Sequence, residues 1–177
     1  MVKIGLTGNI ASGKSELEKI IKNKGFKVID LDETVHFLFE NDEKIKAQIL
    51  KEFKTLNRKE ISNIVFNNLE RKKVLENIIH PKLKEIIKNL EDEKVFVSAA
   101  LIYEAGFDYL FNKIIYVDAP YELRLKRLMK RNNLTAQQAQ KIMNSQKNNK
   151  DKADFIIENS STLDVLEENF NKIIDLI

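Results

Sequence analysis

Gly8-Asn9-Ile10-Ala11-Ser12-Gly13-Lys14-Ser15 is the stretch on which the reading of this chain turns. It fits the pattern of Gly, four residues, then Gly-Lys-Ser/Thr, and it stands between an apolar run at Lys3 to Thr7 and a helical pattern after Ser15. A strand that turns through such a loop into a helix aims several backbone N–H groups at one spot, together with the positive end of the helix dipole. That spot suits a phosphate chain. In this arrangement Lys14 reaches the β and γ phosphates of ATP or GTP, and the Ser15 hydroxyl helps bind magnesium. Three of the five glycines, Gly5, Gly8 and Gly13, fall within the first thirteen residues, so the demand for unusual backbone is concentrated here.

Outward from the loop, Lys27 to Leu31, Val95 to Ala99, Lys113 to Val117 and Phe155 to Ile157 are short runs rich in Val, Ile, Phe and Tyr, each reading as a buried strand. Helical patterns separate them, so the expected fold is α/β, a parallel sheet built from βαβ units with helices on both faces and ligands at the strands' carboxyl ends. Leu163, Leu166, Phe170, Ile173, Ile174 and Ile177 form an apolar stripe for a last helix on the sheet. The span from about Glu33 to Glu93 is too long for one crossover helix and reads as an all-helical insertion, with Asn57 and Glu60 marking one helix start. His80-Pro81 is expected to break two helices there, since proline pushes the residue before it out of helical geometry. A second excursion, Pro120 to about Lys152, reads as a helical hairpin whose second member starts at Thr135, with Gln138 completing a capping box. The expectation is one domain over 1–177, with a core of 1–32, 94–119 and 153–177, an insertion at 33–93 and a lid at 120–152.

The rest of the site chemistry needs acids and cations. The third strand, Val95 to Ala100, carries no acid of the kind motor ATPases place there, and neither Asn112-Lys113 nor Asn171-Lys172 has the aspartate of a guanine-reading segment. Asp30 and Asp32 close the second strand, two residues apart and on one side of an extended chain. Asp30 reads as the cap of the following helix. Asp32 reads as a carboxylate that accepts or orients the proton of an attacking hydroxyl. Arginine is rationed, yet Arg124, Arg127 and Arg131, three of five, follow an i, i+3, i+7 spacing on one helix face, as a clamp on a transferring phosphoryl group would require. His80 reads as structural, and His36, within Val35 to Phe39, as packing.

Composition sets the outer bounds. Without cysteine, disulfides, thiolate metal sites and thiol catalysis are excluded. Thirty basic against 27 acidic residues give a net charge of +3, which suits an anionic small ligand and does not suggest a nucleic-acid binder. The opening residues lack the pattern of a secretory leader and no run reads as a membrane span, so a cytoplasmic location and no membrane partner are expected, and a monomer.

Several segments together resemble the dephospho-CoA kinase family: Ile4 to Gly8 leading into the loop, Val28-Ile29-Asp30-Leu31-Asp32, Ile79-His80-Pro81, Ala100-Leu101-Ile102-Tyr103-Glu104, Leu125-Lys126-Arg127 through Arg131-Asn132, and Ala153 to Ile157 with Asn159. The resemblance implies a three-layer P-loop kinase fold with strand order 2-3-1-4-5, a helical substrate insertion and a helical lid. It implies transfer of the ATP γ-phosphoryl, with magnesium, to the ribose 3′-hydroxyl of dephospho-CoA. Asp32, Lys14 and Arg127 would then be catalytic, Gly8, Ala11, Ser12, Gly13, Lys14, Ser15, Glu16, Arg131 and Asn159 would hold ATP, and Ser15 would hold the metal. Asn159 would lie near the adenine. Asn9 and Ala11 stand where the family commonly has glycines, Ala100 stands where it has proline, and lysines at 147, 150 and 152 stand where arginine often appears. Because alanine tolerates left-handed backbone poorly, Ala11 is expected at negative φ. Two other readings stay open: a kinase for a nucleoside, nucleotide or small alcohol, and a non-enzymatic nucleotide-binding module, which would need neither Asp32 nor an arginine lid.

Overall fold

The computed structural model describes residues 1–66 and 68–177. They fall into two compact units, Met1–Ile29 with Glu91–Ile177, and Asp30–Leu90.

In the first unit β1 (Val2–Gly8), β2 (Lys27–Asp30), β3 (Lys94–Ser98), β4 (Lys113–Asp118) and β5 (Phe155–Glu158) form one sheet in the order β2-β3-β1-β4-β5. The strand-like runs therefore end within a residue or two of where the apolar pattern put them. β1 pairs in parallel with β3 and β4, and β4 in parallel with β5. β1 is central, and its inner residues Ile4 and Leu6 are fully buried. α1 (Lys14–Asn23) and α8 (Leu163–Ile174) supply Leu17, Ile20, Ile21, Leu166 and Phe170 to the core built on those strands. Phe96 anchors it, with ring centroids 5.6 Å from Phe26 and 5.8 Å from Phe170. The α8 stripe holds at Leu166 and Phe170, but Leu163 is exposed because Thr162 caps the helix and leaves its first residue at the rim.

The 120–152 excursion is a hairpin of α6 (Tyr121–Asn132) and α7 (Ala136–Asn144), ending in a 3₁₀ turn at Lys150–Lys152. Thr135 and Gln138 form the expected reciprocal capping box. Leu125 and Leu128 of α6 meet Ala139 and Met143 of α7, and Ile10 and Ala11 pack against this small core.

The second unit consists of α2 (Leu31–Asn41), α3 (Glu43–Phe53), α4 (Arg58–Phe66) and α5 (Leu69–Lys88). Polar side chains start each helix. Asp42 accepts from Lys44 N and Ile45 N, Asn57 from Lys59 N and Glu60 N, and Asn68 from Arg71 N. Two expectations fail here. His80-Pro81 breaks nothing: α5 runs through Pro81, and Ile79, Leu83 and Ile87 are buried along one face on both sides of it. Burying three such side chains, at roughly 1.5–3 kcal/mol each, outweighs the ~3 kcal/mol penalty of an internal proline. His36 does not pack among its apolar neighbours; it is exposed and lies against the Arg58 guanidinium, with 2.7 Å between Nη1 and Nδ1.

Candidate active site

The loop between β1 and α1 has the backbone that phosphate binding asks for. Gly13 sits at φ +95° before the first turn of α1, and a side chain there would run into the Asn159 amide. At Gly8 a Cβ would lie 2.5 Å from the Val117 carbonyl oxygen and 2.7 Å from Ser12 Oγ, so β4 passes too close for any other residue. Ser12 N donates to Asn9 O at 3.1 Å, and the amides of Glu16 and Leu17 both close on Gly13 O. Among the described residues the amides of Ala11, Gly13, Lys14 and Ser15 make no hydrogen bond, leaving them as donors at the helix's positive end.

Ala11 contradicts expectation, with φ at +62°. In this conformation it packs on the α6–α7 core, so an apolar contact offsets part of the cost of left-handed backbone.

Residues distant in sequence brace the loop. Asn159, buried just past β5, donates from Nδ2 to Ser12 O at 2.9 Å, and its own N–H donates to Asp118 O at 2.7 Å. Arg127 Nη1 donates to Ser12 O and Asn159 O at 3.4 and 3.3 Å. From the hairpin side, Gln146 Oε1 accepts from Ile10 N at 2.8 Å.

The three arginines do not act as one row. Arg127 clasps the loop; Arg124 Nε donates to Ala119 O while its guanidinium lies 5.9 Å from the Tyr121 ring centroid; Arg131 is exposed and donates to Asn132 Oδ1. Two of the lysines beyond Gln146 are also engaged. Lys150 Nζ donates to Asp118 Oδ2 at 2.5 Å, and this hydrogen bond holds the ammonium above the usual lysine range; Lys152 Nζ lies 5.5 Å from the Tyr103 ring centroid. Burial pushes the Tyr103 hydroxyl up to about 12, with Asp154 and Asp108 adding to the rise, so it stays a neutral phenol at any physiological pH.

Lys14 is the loop's own cation. Its Nζ donates to Glu18 Oε1 at 2.9 Å and to Ser98 Oγ, and Ser98 Oγ donates to the same Glu18 oxygen at 2.5 Å. Ser15, one residue on, is exposed, and Glu16 pairs with Lys19 at 3.0 Å.

The second unit holds Asp30 and Asp32. Asp30 ends β2 and caps α2, accepting from Asp32 N at 2.7 Å and Glu33 N at 3.1 Å. The cap turns the chain at once, so Asp32 is not on an extended strand end beside Asp30. It is an exposed residue in the first turn of α2. His80 lies within α5, where burial lowers its imidazole below the usual range against the pull of Glu76, and Lys84 and Lys72 add to the drop.

A family model described as dephospho-CoA kinase matches residues 2–164. The chain belongs to the dephospho-CoA kinase family. A dephospho-CoA kinase of Fusobacterium nucleatum is 36% identical over 178 residues, covering 92% of each chain. A solved structure of the dephospho-CoA kinase from Campylobacter jejuni is 35% identical with a TM-score of 0.67, over 98% of this chain and 95% of that one. A crystal structure from Thermus thermophilus is 30% identical with a TM-score of 0.83, over 99% and 97%. Membership makes this chain a P-loop kinase of coenzyme A biosynthesis that uses ATP as co-substrate.

Three groups that touch the loop escaped the sequence reading of this dephospho-CoA kinase family member. Glu18 was open to it, standing four residues after Lys14 in a helical pattern. Ser98 and Gln146 gave no local signal, because their partners lie 84 and 136 residues away.

Proposed function

We propose that this chain transfers the γ-phosphoryl group of ATP to the ribose 3′-hydroxyl of dephospho-CoA, releasing coenzyme A and ADP, as a cytoplasmic monomer with a small-molecule acceptor and neither nucleic acid nor membrane as partner. The observation that carries this reading is the loop at Gly8 to Ser15, held open by Asn159 and Arg127 with four amides uncommitted, in a chain of this family.

Gly8, Ala11, Ser12 and Gly13 shape the cradle, and the amides of Ala11, Gly13, Lys14 and Ser15 take the phosphate oxygens. Lys14 stabilises charge on the γ-phosphoryl as it moves. Arg127 meets the same charge while steadying Ser12 and Asn159, Arg131 and Asn159 serve the nucleotide, and Glu16 completes the first turn below it. Ser15 offers a hard hydroxyl oxygen beside Lys14. That hydroxyl suits magnesium, a cation that takes most of its ligands from phosphate and water. When bound, that cation supplies charge neutralisation on the phosphate oxygens. Asp32 orients the attacking hydroxyl; its warrant is the family resemblance and its place two residues past β2. The transition state of such transfers is loose, so positioning weighs more than proton removal. In domain terms this is one kinase domain, 1–177, with 33–93 as substrate insertion and 120–152 as lid.

The test is ADP release by purified protein with ATP and magnesium, comparing dephospho-CoA with adenosine, AMP, shikimate and no acceptor. Release is expected with dephospho-CoA alone, with coenzyme A as product. Release with another acceptor overturns the substrate, and tight ATP binding without release overturns the kinase.

A further inference from the structure

Lys14 and Glu18 are a lysine and a glutamate four apart on one helix, an arrangement common on helix surfaces, but two features set them apart. Their side chains are 15% and 9% exposed, so the pair is largely withdrawn from water. Ser98, at the end of β3 and 80 residues from Glu18, donates to the carboxylate oxygen that holds the ammonium. The order, lysine before glutamate, is also the less favourable one for helix stability. The pair is a small buried network around the P-loop lysine.

A phosphate oxygen drawing on the Lys14 ammonium meets a carboxylate oxygen already 2.9 Å from it. Two anions then share one cation in a site with little water, where each interaction is stronger than at a surface. We infer that Glu18, steadied by Ser98, competes with the nucleotide for Lys14 and thereby sets the affinity of this site for a nucleoside triphosphate. The inference rests on the phosphate-binding reading of the loop and assigns Glu18 as a positioning residue acting through Lys14. By linkage, the triphosphate loosens the Lys14–Glu18 pair as much as the pair weakens the triphosphate.

The probe is the β,γ-methylene analogue of ATP with magnesium, titrated into wild type, Glu18→Gln and Glu18→Asp by calorimetry, with melting temperatures taken with and without saturating analogue. Glu18→Gln should tighten the analogue about tenfold. It should melt below wild type alone, since Lys14 loses its counter-ion, and the gap should narrow once the phosphates replace that counter-ion. In steady state the KM for ATP should fall with kcat changed less. Glu18→Asp keeps the charge with a shorter reach and should lie between the two; it carries the test if Glu18→Gln does not fold. Unchanged affinity with an equal melting gap under both conditions would reduce the pair to structure and overturn the inference. Weaker binding by Glu18→Gln would overturn it too, because the carboxylate would then support the bound state. Failure of wild type to bind the analogue removes the loop reading itself, and the inference with it.

Discussion

In the first unit the hydrogen bonds that shape the site join residues far apart: Ser12 to Asn159 across 147 positions, Ile10 to Gln146 across 136, Lys14 to Ser98 across 84. In the second unit the bonds that start the helices are local, with Asp30, Asp42, Asn57 and Asn68 each bonding to amides two or three residues on, and the longer links, Arg58 to His36 and Arg71 to Glu52 O, span 22 and 19 positions. The difference is one of consequence as well as reach. A local cap adds about 1 kcal/mol to one helix and can be replaced without disturbing its neighbours. The long-range bonds meet on the loop itself, where Ser12 O receives both Asn159 and Arg127, so a change at one is felt by the others. The loop between β1 and α1 is a converging structure, while the second unit is a series of independently started helices.

If that contrast is sound, the largest loss should come from the centre of the converging structure. Lys14→Ala should remove about 3–4 kcal/mol of transition-state stabilisation, as for loss of one preorganised charge-stabilising group. Single-turnover kinetics at saturating ATP is the measurement, and near-normal turnover would remove Lys14 from the chemistry. The change also strands Glu18, whose buried carboxylate keeps only Ser98 as a donor among the described residues. A fall in melting temperature should therefore accompany the loss of rate.

Asp32→Asn probes the locally organised unit and should give a cleaner, smaller result. Turnover should fall by about a hundredfold, the lower end for a positioned acid–base or orienting group. ATP affinity should hold, and stability should change by under ~1 kcal/mol, the usual size for an exposed charged residue in the first turn of a helix. Loss of ATP binding with turnover per bound complex intact would make Asp32 a structural or metal residue.

The same contrast explains what could be read beforehand. The strands, the strand-loop-helix setting of Gly8 to Ser15, the Asn57 start and the Thr135 capping box are written in residues a few positions apart, and all were legible. Two local signals misled. Pro81 announced a break that the burial of Ile79, Leu83 and Ile87 overrode, and the Asp30–Asp32 spacing suggested a shared strand face that the Asp30 cap abolished. The clasp of Ser12 by Asn159 and Arg127 is not legible as a clasp, although each residue stands out singly in the sequence, because nothing local to 12, 127 or 159 says that they meet.

Ala11 shows tertiary contact overriding a local preference inside the loop, and it offers the smallest and most discriminating test. Its backbone is left-handed at φ +62°, which costs an alanine roughly 1–2 kcal/mol. Against that stands its methyl, half-buried on the core of Leu125, Leu128, Ala139 and Met143, worth about 0.4 kcal/mol from a value of ~0.8 per buried CH₂. Strain outweighs contact by about 0.6–1.6 kcal/mol, and the greater entropy that glycine loses on folding takes back ~0.5 kcal/mol, so Ala11→Gly should raise stability by up to about 1 kcal/mol, read as a melting-temperature rise of about 2–4 °C at most for a chain of this size. A fall instead would mean that the methyl matters more to the hairpin than its own burial suggests, through the packing of Ile10 beside it. The loop would then owe its shape to α6 and α7 as much as to its glycines, and ATP affinity should weaken in the same variant. A rise with unchanged ATP affinity would place the shape of the cradle in Gly8, Gly13 and the Asn159 clasp alone.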